Sequence, residues 1–380
     1  MHRRATPLVV LFGILVSVLV ADTAKPRARD LGVPFDGKPG ALNAITDVPG
    51  IEIGQTTLIR GEGKLVVGEG PVRTGVTMIL PRGKANHAPV FAGWFSLNGN
   101  GEMTGTAWID EAGILDGPIG LTNTHSVGTV RDAIIQWQVK HGRGAGEVWW
   151  SLPVVAETWD GWLNDLNGFH VKPEHVFAAI DNARGGPVAE GGVGGGTGMI
   201  CHEFKGGIGT ASRVTHGYTI GVLVQANYGL RRQLRIAGVP VGKEIPEGAF
   251  RPDEDGSILV IIATDAPLLP HQLKRLARRA SLALGRMGSI SGDGSGDLFL
   301  AFSTANTVPS ERDKVGTVQM MNTEDLGPIF GGVVEATEES IVNALVAGET
   351  MTGRDGHVVE GLPRDKLREV LKKYGRLVEK

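Results

Sequence analysis

Four short runs of unbroken apolar, β-branched residues constrain this chain more than any other feature: "GVTMILP" at 75–81, "TIGVLVQ" at 219–225, "SILVIIAT" at 257–264 and "DLFLAFS" at 297–303. A strand with one wet face alternates polar and apolar residues, so a continuous run of this length implies a strand covered on both sides. Helical segments interleave with them: "VRDAIIQWQVKHG" from 130, "LPVVAETWDGWLNDL" from 152, "PHQLKRLARRASLALGRMG" from 270 and "EESIVNALVAG" from 338. In the third, Leu273, Leu276, Ala277, Ala280 and Leu284 share one stripe, with Lys274, Arg275, Arg278 and Arg279 outside it, and Pro270 suits the first helical turn. The tail "PRDKLREVLKKYGRLVEK" predicts a short amphipathic surface helix. Without a repeat period or a long linker, the pattern predicts one layered α/β domain.

Composition narrows the partners. The formal net charge of −3 provides no basic surface for nucleic acid. Residues 1–24 read as a signal peptide, with a basic head, an apolar stretch at 8–20 and small residues near the end. That stretch is short for a membrane span, so export to the periplasm or beyond is expected, with an uncleaved anchor as the alternative. The single cysteine, Cys201, excludes an intrachain disulfide, and its apolar neighbours predict a buried thiol.

Several sources of chemistry are set aside. The glycine cluster "GGVGGGTGMI" from 191 lacks the spacing of a dinucleotide-binding turn or a phosphate loop. His125, His202 and His216 fit no zinc spacing, and no cofactor or metal is expected. Nor does a G-x-S-x-G elbow occur.

What remains is "RPDEDGSILVIIATDAP" at 251–267, where an acidic loop meets a buried strand through a bare Gly-Ser. Cleavage between Gly256 and Ser257 would free an α-amine beside the Ser257 hydroxyl. With an ordinary pKa near ~8, that amine serves as a base for its own side chain, so no histidine is needed. Glycine at 256 tolerates the strained backbone that an N-to-O acyl shift requires. A plain turn feeding a strand is the structural alternative.

The run "GSILVIIATDAPLLPHQLKRLARRA" resembles the start of the small subunit in the family of L-aminopeptidase/D-esterases (DmpA-like) and β-peptidyl aminopeptidases. Collinear matches include "GALNAITDVPGIEIGQTTLI", "GLTNTHSVGTVRDA", "PVVAETWDGWLND", "VLVQANYG", "GSGDLFLAFSTAN" and "EATEESIVNAL", covering nearly the whole chain after residue 30. The resemblance implies a four-layer αββα sandwich, similar to the N-terminal-nucleophile hydrolases with a different strand connectivity. It also implies self-cleavage into subunits 25–256 and 257–380 and a homo-oligomer of the processed subunits.

Matching positions imply roles. Ser257 is the expected nucleophile, Ser295 and Asp297 are expected to steer protons near it, and Asn227 is the expected oxyanion donor. Some relatives carry glutamate at the Asp297 position. Glu157, read as a helix carboxylate, is expected to bind the substrate's free amino group. Trp159 stands where the family often has tyrosine, which removes a hydroxyl from the pocket. Asn100 is a turn asparagine that could line the site. The expected activity is release of N-terminal residues from small peptides, amides or esters, including β- or D-amino acids. An amidase or acylase needing no free amine, and a non-catalytic periplasmic binding protein, are the alternatives.

Overall fold

The computed structural model describes residues 25–146, 148–253, 255–309 and 315–379. The expected signal segment lies outside them. Fourteen strands are present among these residues: β1 Glu52–Arg60, β2 Val72–Leu80, β3 Val90–Gly99, β4 Ile114–Leu115, β5 Ile119–Asn123, β6 Val154–Thr158, β7 Ile200–Cys201, β8 Phe204–Lys205, β9 Gly207–Thr215, β10 Tyr218–Asn227, β11 Asp255–Thr264, β12 Gly294–Ser303, β13 Met351–Thr352 and β14 Val358–Val359. The helices are α1 Thr106–Ala112, α2 Val127–Lys140, α3 Pro173–Asp181, α4 Val241–Glu244, α5 Pro270–Ala277, α6 Ala280–Met287, α7 Gly327–Ala347 and α8 Arg364–Lys373.

Two sheets stack face to face. One runs β1-β2-β5-β6, the other β4-β3-β12-β11-β10-β9. The period-2 alternation of β11 shows why its sequence is apolar without a break. Leu259, Ile261 and Ala263 join a core between the sheets with Ile79, Leu121 and Ala156. Ile258, Val260 and Ile262 join a second core beneath Leu273, Leu284, Val333 and Ile341 of α5, α6 and α7. A third core packs Val76, Met78 and Val155 against Val130, Ile134, Val176 and Ile180 of α2 and α3. Three cores between four layers make an αββα sandwich, as the resemblance implied.

Two elements differ from the sequence reading. The segment from 152 is not a helix: residues 154–158 form β6, pairing in parallel with β5. A short apolar run is ambiguous by periodicity, and here β-branched Val154 and Val155 divide between the inter-sheet core and the α2 side. Glu157 is therefore a strand residue. The segment from 270 is two helices, α5 and α6, separated at Arg278 and Arg279. The expected apolar stripe holds across the break, since Leu273, Leu276, Ala277, Ala280 and Leu284 are all buried. Strands β1, β3, β5 and β9 escaped the sequence reading; β1 and β3 are half-exposed and lack a continuous apolar run.

The glycine cluster is packed between the sheets. A Cβ at Gly195 would lie 2.6 Å from the Leu121 carbonyl oxygen, and one at Gly196 2.5 Å from the Ile208 amide nitrogen. These glycines let backbones touch, which is a packing role. Cys201 is buried, and burial pushes its thiol pKa up. Among the described residues no helix is long and apolar enough to cross a membrane.

Candidate active site

The middle of the larger sheet is where β10, β11 and β12 run side by side. Asn227, the last residue of β10, pairs with Ser257 in the antiparallel ladder, and Gly296 of β12 pairs with Ser257 in the parallel one. Ladder hydrogen bonds lock this register, so sequence separations of 30 and 39 residues collapse to neighbouring strand positions. The Ser257 side chain follows Leu259 and Ile261 toward the second sheet, and its Oγ accepts the Gly296 N–H at 3.1 Å.

Gly256 explains the bare Gly-Ser. Its φ is +139°, a backbone region closed to side-chain-bearing residues, and a Cβ there would lie 2.0 Å from the Asn227 carbonyl oxygen. Any other residue at 256 would push β10 and β11 apart.

Across from Ser257 stands the end of β6. Glu157 is 4% exposed. Its Oε1 accepts the backbone N–H of Glu102 at 3.0 Å and its Oε2 accepts the Thr124 hydroxyl at 2.5 Å. Burial raises the Glu157 pKa above the ordinary glutamate value, the two hydrogen bonds oppose that shift, and the nearby Glu102 charge adds to it. A buried carboxylate that accepts two donors among the described residues has acceptor capacity left for a cation.

Glu157 and Ser257 line one open cleft of about 600 Å³, together with Gly99, Asn100, Gly101, Glu102, Thr124, Trp159, Gly256 and Gly294. Trp159 is 40% exposed there, its indole lying against Gly161. The Asn100 amide donates to the Gly294 carbonyl at 2.9 Å, tying the cleft floor to the start of β12.

The other three expected residues stand behind this cleft. Asn227 is fully buried and bridges the two sheets, its Nδ2 donating to the Trp159 carbonyl at 2.9 Å and its Oδ1 accepting the Ile200 N–H at 2.7 Å. Ser295 and Asp297 are also buried, and the Ser295 hydroxyl donates to Asp297 Oδ1 at 2.7 Å. The parallel register sets Ser295 beside Gly256 and Asp297 beside Ile258, so both side chains lie on the helix-facing side of the sheet, opposite to Ser257.

A polar layer fixes one sheet against the other at this end. Gln225 Nε2 donates to the Thr122 carbonyl at 2.9 Å and to the Thr158 hydroxyl at 2.8 Å. Behind Trp159, buried Asp160 accepts from Asn123 and Asn164, each at 3.0 Å, and burial raises its pKa to about 6. Sequence reasoning missed Thr124, Glu102, Gly296 and Asp160. Thr124 and Asp160 lie inside recognised stretches, but only the fold shows that Thr124 grips Glu157. Among the described residues no group of three His, Cys, Asp or Glu side chains could hold a metal ion.

An αββα sandwich that opens a serine at the head of a central strand has the architecture of the N-terminal-nucleophile hydrolases. The model of peptidase family S58 matches residues 43–359. The chain is 54% identical to the beta-peptidyl aminopeptidase BapA of Sphingosinicella microcystinivorans, covering 99% of each chain, and 52% identical to BapA of Sphingosinicella xenopeptidilytica, covering 96% and 95%. Among solved structures, the L-aminopeptidase D-Ala-esterase/amidase of Ochrobactrum anthropi superposes with a TM-score of 0.88 at 49% identity, covering 93% of this chain and 100% of that one; it is described as a prototype of the serine aminopeptidases and a variant of the Ntn hydrolase fold. A Burkholderia sp. beta-aminopeptidase superposes with a TM-score of 0.85 at 52% identity, covering 92% and 99%. This chain belongs to peptidase family S58 and is a serine aminopeptidase, which removes the binding-protein alternative.

Proposed function

We propose that the protein is an exported, self-processing aminopeptidase that releases β-amino acids from the N-terminus of short peptides, amides and esters through an acyl-enzyme on Ser257. The observation that carries the reading is the pairing, in one cleft, of the Ser257 hydroxyl with a buried carboxylate, Glu157, that keeps acceptor capacity.

The steps are as follows. The Ser257 oxygen attacks the Gly256 carbonyl carbon, the peptide C–N bond breaks, and the nitrogen leaves with the proton from the hydroxyl. Water then hydrolyses the resulting ester, leaving the Gly256 carboxylate and a Ser257 that bears both a hydroxyl and an α-amine. In turnover, Glu157 pairs with the substrate ammonium and sets the scissile carbonyl against Ser257 Oγ. The α-amine takes the hydroxyl proton and gives it to the leaving amine. Of the two Asn227 amide hydrogens, one is used on the Trp159 carbonyl and the other is assigned to the oxyanion. The Ser295–Asp297 pair, next to Gly256 in the ladder, is assigned to orienting the new amine. A β-amino acid places its ammonium one methylene further from the carbonyl. The relatives named for β-peptides support that choice over α-amino acids. Family resemblance supports an oligomer of the processed subunits.

The test is kcat/KM for matched β- and α-amino acid anilides, each free and N-acetylated, combined with N-terminal sequencing of the smaller chain. The expected result is preference for the free β-substrate and a small chain beginning Ser-Ile-Leu-Val. Equal rates on the α-substrate would remove the β-assignment, and equal rates on the acetylated forms would remove the role of Glu157.

A further inference from the structure

Between β7 and β8 the chain reverses through His202 and Glu203, with φ of +48° and +60°. Two successive positive φ values are the mark of a tight hairpin turn that sequences normally fill with Asn-Gly, and a β-branch-free but bulky His-Glu pair is held there against its backbone preference. Such strain persists only where surrounding contacts enforce it. Here the contacts are those of the Glu203 carboxylate, which is buried and accepts three backbone N–H groups: Arg231 on Oε2 at 2.7 Å, and both Phe250 and Arg251 on Oε1, the latter at 2.6 Å.

Phe250 and Arg251 belong to the segment that leads into Gly256. Other contacts hold the same segment. Buried Arg231 donates to the carbonyls of Ile245 and Glu247, lies 3.2 Å above the Phe204 ring centre, and donates to the Glu203 carbonyl at 2.7 Å. The Phe250 ring stacks on Trp162 at 4.9 Å, which in turn stacks on His357 at 4.2 Å. The other end of the hairpin touches the reaction centre, because the Ile200 N–H is the donor that holds Asn227 Oδ1.

We propose that Glu203 is a positioning residue for self-cleavage: by clamping the linker backbone at Phe250 and Arg251, it lets the few residues that follow hold Gly256 in the conformation from which Ser257 attacks. The inference rests on the self-processing reading. It assigns to a carboxylate outside the cleft a part in maturation and none in substrate turnover. Once the Gly256–Ser257 bond is cut, the linker no longer bears on Ser257, and the clamp has no further effect on catalysis.

The experiment follows loss of the full-length chain on denaturing gels after synthesis. It compares the wild type with Glu203→Gln, with Arg251→Pro, which deletes one clamped N–H, and with a short glycine-serine insertion between Pro252 and Asp253, which uncouples the clamp from the junction. Each variant should convert more slowly by about tenfold or more, equivalent to roughly 1.4 kcal/mol of barrier. Each should reach wild-type kcat/KM per processed site. The linker variants leave the folded body untouched, and Glu203→Gln is checked for folding by thermal unfolding in a Ser257→Ala background. Conversion of the insertion and Arg251→Pro variants at the wild-type rate would overturn the clamp while leaving self-processing intact. A wild-type chain that stays whole would overturn self-processing and the clamp with it.

Discussion

In the proposed mechanism the two stacked sheets divide the work of the site between them. The six-stranded sheet carries Ser257, Asn227, Ser295 and Asp297 on three adjacent strands, the last three fully buried. The four-stranded sheet carries Glu157 and leads directly into Trp159, both open to the cleft. The proposed reaction groups are thus registered by ladder hydrogen bonds, which admit no sliding. The proposed recognition groups sit at the end of a shorter sheet, tied across by Gln225 and Asn227. Chemistry needs sub-ångström register, whereas recognition tolerates adjustment to different substrates.

This division can be broken by substitution. The largest effect is expected from Ser257→Ala, which should abolish both self-cleavage and hydrolysis, leaving one uncut chain on a denaturing gel. Asn227→Ala comes next, lowering kcat by about a hundredfold with a smaller change in KM, because an oxyanion donor acts mainly in the transition state. A change confined to KM would move Asn227 to the recognition side and end the proposed division.

On the other sheet, Glu157→Gln should lower kcat/KM for free-amine substrates by about tenfold to a hundredfold, the worth of a charge-assisted hydrogen bond, while N-acetylated substrates stay equally poor. Glu157 must be ionised to hold an ammonium. In the proposed role its raised pKa should therefore place the acid limb of the kcat/KM profile above the ordinary glutamate range. Glu102→Gln removes a like charge and should move that limb to lower pH, with little change on the alkaline side. An unmoved limb would show that another group controls it.

The smallest effect is on stability. The Asp160 pKa is about 6 in the folded chain, raised by burial from an ordinary 3.8, so its contribution to stability is full below the unfolded value and is lost as pH rises through about 6. The loss is about 3 kcal/mol at most. In a Ser257→Ala background, Asp160→Asn should flatten the dependence of Tm on pH between roughly 4 and 6. Parallel Tm profiles for the two proteins would assign the slope elsewhere.

Part of this was legible in the residues. The strands buried on both faces declare themselves as unbroken apolar runs, because no position on them meets water, and the Gly-Ser junction stands out because a glycine and a serine interrupt such a run at its head. Residue-level resemblance carried the candidate site further, bringing in Glu157, Trp159 and Asn227. Secondary structure around 152–166 was misread because its five-residue strand has neither the length nor the alternation to separate it from a helix.

The sequence by itself determined the class of fold and singled out the Gly256–Ser257 junction on which the proposed mechanism rests, since burial pattern and backbone freedom are local properties of a chain. Only the tertiary structure decided that Ser257 and Glu157 share a cleft while Ser295 and Asp297 lie on the far face of the sheet, and that Glu203 grips the linker ahead of Gly256. Those relations depend on strand order and register across the molecule, which arise from how the two sheets bury their faces against each other and leave no signature in the spacing of the residues concerned.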